Sequence, residues 1–402
     1  MVTLKKDFDF TQRNAAIDIL RALTMLLMIF VNDFWTVKGV PHWIHHAKTN
    51  ENFLGLADVV FPLFLFVVGM SIPYAIERRF SKGFSELSTV SHILTRTFAL
   101  LIMGIFTVNS EYGLSRDIQM SSALFGVLMV TAFLMIWNAY PKTEKPIRHL
   151  YTALQVLGVL ILIYLALIFR DAKGGILQIR WWGILGLIGW TYLVCSFIYL
   201  FVRDSIPRIF FFWVGFILLC MVQSSQLIPR ESFLINLLNI VNIGSGAHVA
   251  FTLGGILFSL IIVKYSDVST RKKVMYIVSF MAILIIAAAI SNDFWIISKN
   301  RATPPWVLYC SAAAIGSYGL ILWAVSKGKA SWFNIIKPAG TSTLTCYLVP
   351  YVLYSIFFGF LHISLPGWMK EGGFGLIKCT IFSFLCIGVT TLLERFKIKI
   401  KV

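Results

Sequence analysis

The 402-residue chain carries a formal net charge of +17, yet 58% of its residues are hydrophobic and only 13% are charged, with a mean hydropathy of +0.81. Ordinary soluble domains keep about a quarter of their residues charged, so this composition excludes one and points to a bilayer. The basic excess lies in short loops between apolar runs, which reads as membrane topology rather than nucleic-acid binding.

A hydrocarbon core of ~30 Å needs about 20 apolar residues per helix. Twelve stretches meet that need, near 15–36, 55–76, 90–109, 119–139, 149–169, 181–202, 207–223, 247–265, 273–291, 306–326, 342–361 and 373–392. The seventh is the shortest and is the one expected to tilt or re-enter. The predicted fold is therefore an all-α polytopic membrane bundle of about 10–12 transmembrane helices, one domain over residues 1–402 with its motif-bearing core at 13–75. Alternate loops are rich in cations: Lys5, Lys6 and Arg13, then Arg78, Arg79 and Lys82, then Lys142, Lys145 and Arg148, and finally Arg395, Lys397, Lys399 and Lys401. The opposite loops are poorer, holding Arg116 and Arg230 among others. This bias predicts that both termini are cytoplasmic. It puts His42, His45, His46, His248 and His362 outside, and His92 and His149 inside.

No cleavage site follows the first span, so a cleaved signal peptide is not expected. The six cysteines all fall in apolar stretches without metal-ligand spacing, and read as small buried residues.

The first span is the most polar, with Asp18, Arg21, Asn32 and Asp33. Asp18 and Arg21 are three residues apart and can pair on one face. Arg21 and Asn32 are eleven apart, about three turns, so one polar stripe runs along the helix. A structural ion pair with an interfacial Asn fits the same residues.

The next loop holds three histidines, His42, His45 and His46, and Asp58 opens the second span. Asp58 can favour the helix N-terminus, or it can accept from an imidazole and fix its tautomer. The cluster also invites a metal, but its supporting carboxylates are sparse and no metal is expected. Pro62, Gly69 and Pro73 mark the second span as one prone to kinks.

At the third span, His92 and Arg96 are four apart, and with Arg21, Arg78 and Arg79 they form a basic set suited to a phosphorylated cofactor; snorkelling accounts for the loop arginines equally well. Later, Asn242-Ile243-Gly244-Ser245-Gly246-Ala247-His248 and Ser298-Lys299-Asn300 mark outer re-entries. His248, Lys299 and Asn300 are candidate substrate contacts there, with a tight turn and a solvated lysine as the plainer readings. Lys378, near the outer end of the last span, is expected to snorkel. Gly183, Gly186 and Gly189 suit close helix packing, within one chain or in a homodimer.

Two blocks near the start carry a resemblance: Ile17-Asp18-Ile19-Leu20-Arg21-Ala22-Leu23 with Met28-Ile29-Phe30-Val31-Asn32, and His46-Ala47 with the run 57–69 beginning Ala57-Asp58-Val59-Val60-Phe61-Pro62. Together with Ser298-Lys299-Asn300, Thr303-Pro304, Trp306 and the Gly340, Leu344, Thr345, Tyr347 set, they resemble the heparan-α-glucosaminide N-acetyltransferase family. The chain also looks like bacterial membrane proteins grouped as a domain of unknown function in that superfamily, which implies a bacterial inner membrane. The resemblance is strongest over 13–75. It departs from the family at Ala22, where a Gly is usual, in a missing Trp after His-Ala, and in a longer spacer at 48–53.

The resemblance implies transfer of an acetyl group from cytosolic acetyl-CoA to a carbohydrate acceptor such as an amino sugar. His46 would be the active imidazole (with His45 its rival), Asn32 the oxyanion donor and Asp58 the partner of the ring. Arg21, Arg96, His92 and Asp18 would serve the cofactor, and His45, His248, Lys299 and Asn300 the substrate. His46 would act as a general base or carry the acetyl group covalently. The competing reading is a secondary transporter, since twelve spans with intramembrane Asp18 and Arg21 also suit ion coupling.

Overall fold

The computed structural model describes residues 10, 14–34, 37–115, 118–141, 144–203, 205–229, 232–241 and 243–402. Lys5, Lys6, Arg13, Arg116, Lys142, Arg230 and Asn242 lie outside the described residues. The described residues form helices with no β-strand and two isolated β-bridges, Lys38 with Glu371 and Asn138 with Ile400. In order these are α1 (Ala15–Asp33), α2 (Leu56–Ser81), α3 (Glu86–Glu111), α4 (Ser122–Trp137), α5 (Lys145–Ile168), α6 (Ile184–Val202) and α7 (Ile206–Ser224). They continue with α8 (Phe233–Ile240), α9 (Ala247–Lys264), α10 (Thr270–Asn292), α11 (Pro304–Ser326), α12 (Lys337–Thr341), α13 (Thr343–Tyr354) and α14 (Gly372–Arg395).

Among the described residues, eleven helices are long and apolar enough to cross a membrane. The protein is thus an all-α, polytopic integral membrane protein. The shortest of the twelve expected spans is the fourth rather than the seventh: α4 has 16 residues whereas α7 has 19, and α13 with its π continuation reaches 18. A helix of 16 residues is about 24 Å long, short of a ~30 Å core.

The chain falls into two compact units, and α1, α3 and α6 each pass from one to the other. The first unit takes residues 1–24, 41–97 and 187–334. Its centre is α2 against α9, whose spans are 72% and 78% buried, whereas α7 and α10 are each 22% buried. In a bilayer apolar surface alone does not draw helices together, so the central pair rests on close backbone packing, and the perimeter helices offer their side chains to lipid. The α2–α9 crossing depends on missing side chains. A Cβ on Gly69 would stand 1.9 Å from the Thr252 carbonyl oxygen, and one on Gly255 2.0 Å from that of Phe66. Backbone cannot yield as a side chain does, so Gly69→Ala is expected to push the helices apart and remove most folded protein, measured as the monodisperse fraction after detergent extraction.

α2 runs unbroken through Pro62 and Pro73. Its cytoplasm-predicted end is held to the end of α6, where Arg203 donates to Glu77 from Nε at 2.8 Å and Nη2 at 2.7 Å, while Tyr199 also donates to Glu77 at 3.2 Å. This planar, two-pronged pairing is the strong form of an ion pair.

The second unit takes residues 25–40, 98–186 and 335–402. α4 packs on α5 and α13, and α13 on α14. Gly186 lies under Gly104, and Gly183 under Val108, so these small residues serve contacts inside the chain. Past α13 the helix widens to a π turn over Ser355–Phe360. The end of α1 is fixed by Asp33, which lies 2.9 Å from Lys378 of α14 and accepts from the Tyr354 hydroxyl at 2.7 Å. Lys378 therefore has a partner its own helix does not reveal, the buried Asp33 carboxylate.

The tail after α14 doubles back. Ala139 N–H donates to Lys399 O (2.8 Å), Lys399 N–H to the Asn138 side chain (2.8 Å), Ile400 N–H to Thr345 Oγ1 (3.0 Å) and Lys401 N–H to Trp137 O (2.9 Å).

Candidate active site

The loop before α2 and the loop before α11 build one site in the first unit. Each is short of regular structure, so its polar backbone groups must find partners elsewhere, and they find them in each other. Ile297 N–H donates to Asn52 Oδ1 at 2.8 Å, the Asn300 amide to Thr49 Oγ1 at 3.3 Å, and the Arg301 guanidinium to Asn50. Ser298 and Thr303 close the second loop on itself, with Ser298 N–H donating to Thr303 Oγ1 at 3.0 Å. Gly55 lets the first loop fold tightly, since a Cβ there would lie 1.7 Å from the His45 carbonyl oxygen.

At the centre is Asp58, in the first turn of α2 and only 2% exposed. Its Oδ1 lies 2.7 Å from His46 Nδ1, and its Oδ2 accepts the Ala47 N–H at 2.8 Å. A carboxylate that close accepts a hydrogen bond from Nδ1–H, which leaves Nε2 as the basic nitrogen. The His46 side chain is 45% exposed, so the fixed ring keeps an open edge. Lys299 Nζ stands 3.5 Å from His46 Nδ1. With Nδ1 protonated and donating to Asp58, the ammonium acts as a neighbouring charge rather than as a donor to the ring. Burial pulls the Lys299 pKa down, and the Asp58 carboxylate opposes the fall. This lysine is half-buried in the site, not the solvated loop residue of the plainer reading.

Trp306, 1% exposed in the first turn of α11, donates from its indole nitrogen to the Asp58 carbonyl at 3.0 Å. His248, in the first turn of α9, meets Trp306 edge-on at 6.3 Å and Phe61 at 6.0 Å. Its Nδ1 is buried and has no hydrogen-bond partner among the described residues.

Of the expected site residues, the structure thus joins His46, Asp58 and Lys299 directly, Asn300 through Thr49, and His248 through Trp306. The Asp58 contact falls to His46; His45 lies half-buried beside it in the same loop. The expected cofactor residues divide. Arg21 donates to Asp18 at 3.0 Å and to Ser71 Oγ at 2.6 Å. Arg96, one turn beyond His92 on α3, lies over the Tyr192 ring at 4.7 Å, and its Nε is buried without a hydrogen-bond partner among the described residues. Asn32 belongs to the second unit, where it is exposed.

Sequence reasoning passed over Ser71, Trp306 as a partner of Asp58, and Glu77 with Arg203. Trp306 carried a usable signal, since a buried indole needs an acceptor. Ser71 carried none. Among the described residues no group of three or more His, Cys, Asp or Glu side chains is placed to hold a metal ion.

An integral membrane protein with a histidine braced by a buried carboxylate, beside a lysine, has the parts of a proton-transferring site. The chain belongs to the family described as Domain of unknown function (DUF5009), whose model matches residues 13–225 and so includes His46 and Asp58. It is also similar to heparan-alpha-glucosaminide N-acetyltransferase of Mus musculus, at 34% identity over 107 residues, and of Homo sapiens, at 35% over 101 residues. Each match covers 25% of this chain, and only 16% and 14% of the two relatives' length.

Proposed function

We propose that the protein is a transmembrane acetyltransferase that uses acetyl-CoA and acetylates an amino sugar or other glycan acceptor at the outer face of a bacterial inner membrane, with both termini cytoplasmic and the whole chain acting as one acyltransferase domain. The observation that carries this reading is the His46–Asp58 pair, with Nδ1 committed to the carboxylate at 2.7 Å. Partial similarity to two heparan-alpha-glucosaminide N-acetyltransferases supports it.

In the proposed reaction the acceptor nitrogen or hydroxyl oxygen attacks the thioester carbonyl carbon. His46 Nε2 takes the proton that the nucleophile loses, the C–S bond breaks, and the proton goes to the departing thiolate. The products are the acetylated acceptor and free CoA. Asp58 holds the ring and balances the charge it gains. Asn32 is assigned to the oxyanion. His248, Lys299, Asn300 and His45 are assigned to the acceptor, and Arg21, Asp18, Arg96 and His92 to the phosphates and pantetheine of the donor. Acetyl-CoA would supply the activated acyl group. Direct transfer needs a single site and is favoured over an acetyl-His intermediate.

Thermal unfolding of the purified protein with acetyl-CoA tests the donor. A ligand at a hundredfold its Kd stabilises by about 2.7 kcal/mol, so a clear upward shift is expected, reduced in Arg21→Ala. No shift at millimolar acetyl-CoA in folded wild-type protein would reject the reading, and transport of a small solute would then be tested in proteoliposomes.

A further inference from the structure

The C-terminal sequence Lys397-Ile398-Lys399-Ile400-Lys401 alternates cation and aliphatic residue, and no part of the proposed acetyl transfer uses it. In extended backbone such alternation puts the two kinds on opposite faces. The ends of the strap follow this, with Ile400 5% exposed and Lys397 and Lys401 exposed, while Ile398 and Lys399 are both half-buried. Four main-chain hydrogen bonds, described above, pin this strap across the ends of α4 and α13. The turn that starts it is strained, because Lys397 has a left-handed backbone with φ of 59°. A non-glycine residue there costs stability unless something is gained.

Beneath the strap is a cleft of about 370 Å³ lined by Ala139, Pro141, Glu394, Lys397 and Lys399. Its one carboxylate is already engaged. Glu394 Oε1 accepts from Thr341 Oγ1 at 2.9 Å and from the Ser342 hydroxyl, and Lys399 Nζ stands 3.7 Å away. With Lys399 offset by Glu394, the lining keeps one net positive charge, that of Lys397. The cleft has room for roughly a dozen water-sized groups, the scale of a phosphodiester with a glycerol.

Its level decides the source. Lys397 and Lys399 follow directly on α14, a candidate membrane span. Around them are Phe396, exposed just past the helix, Trp137 at the end of α4, and Tyr140 stacked on Tyr151 at 4.5 Å. Aromatic side chains at helix ends mark the headgroup layer.

We propose that this strap and cleft form a binding site for the phosphate-bearing headgroup of an anionic lipid, read by Lys397 and Lys399. The site is independent of the His46 chemistry. It is tested by titrating lipid onto the full-length protein in detergent, followed by native mass spectrometry, with phosphatidylglycerol, phosphatidylcholine and inorganic phosphate as separate probes.

The anionic lipid is expected to bind wild type at least tenfold more tightly than phosphatidylcholine, and Lys397→Gln with Lys399→Gln to remove roughly tenfold of that. Lys397→Gly guards against misfolding: it relieves the positive φ, so its melting temperature should hold or rise while lipid binding still weakens. Equal binding of both lipids to wild type, or full affinity in the double variant, would overturn the proposal. So would millimolar phosphate that binds alone with the same lysine dependence, because the site would then serve a soluble phosphate.

Discussion

His46→Ala is expected to lower kcat for acetyl transfer by roughly 10²- to 10⁴-fold, with KM for acetyl-CoA little changed. The ring is braced on one side by Asp58 at 2.7 Å and is 45% exposed on the other, so its removal deletes the acceptor of the proton without opening the core. Asp58 keeps the Ala47 N–H and the electrostatic attraction of the Lys299 ammonium. Asp58→Asn separates positioning from base chemistry. An amide oxygen still accepts from Nδ1–H, but the NH₂ group in the place of Oδ2 cannot accept from Ala47. The loss should therefore be smaller than for His46→Ala, and should come with a lower melting temperature. Radiolabelled product formation with an amino-sugar acceptor measures both. A folded His46→Ala protein within tenfold of wild type would remove the imidazole from the mechanism.

Lys378→Met is expected to destabilise the protein by about 3–5 kcal/mol, because it leaves the Asp33 carboxylate buried without its cation. Asp33 is 7% exposed, and the lysine that faces it is 16% exposed. Two apolar side chains in their place need no such compensation, so adding Asp33→Leu to Lys378→Met should restore most of the loss. The remaining deficit should belong to Tyr354, whose hydroxyl loses its acceptor at 2.7 Å, and Tyr354→Phe in the same background should shrink it. Thermal unfolding in detergent across this series checks the order. A single variant as stable as wild type would mean the pair contributes nothing.

The spans were legible because the bilayer imposes one constraint on all of them: about 20 apolar residues without a free backbone group. Length therefore gave eleven of the twelve, and α4 fell short only because its helix stops at Trp137. His46 and Asp58 were legible as a pair because both lie in one short stretch around a helix start. Lys299 was legible as a candidate but its place beside His46 was not, since that depends on contacts between two loops some 250 residues apart, such as that of Asn300 with Thr49. The same limit applied to Lys378. Snorkelling is the right expectation for a lysine considered on its own helix, and only the fold supplies Asp33. Glu77 and Arg203 were hidden likewise, their separation being 126 residues.

These distances along the chain also bear on how the protein enters the membrane. Asp33 ends the first span to be made, yet Tyr354, which satisfies it, comes 321 residues later, and Lys378 later still. At 5–20 residues per second the ribosome needs roughly 15–65 s to cover that gap. During this time the acidic end of α1 lacks both partners. Final seating of α1 is thus coupled to arrival of α14, so truncation before Lys378 should trap the nascent protein at an assembly stage with every earlier span already synthesised.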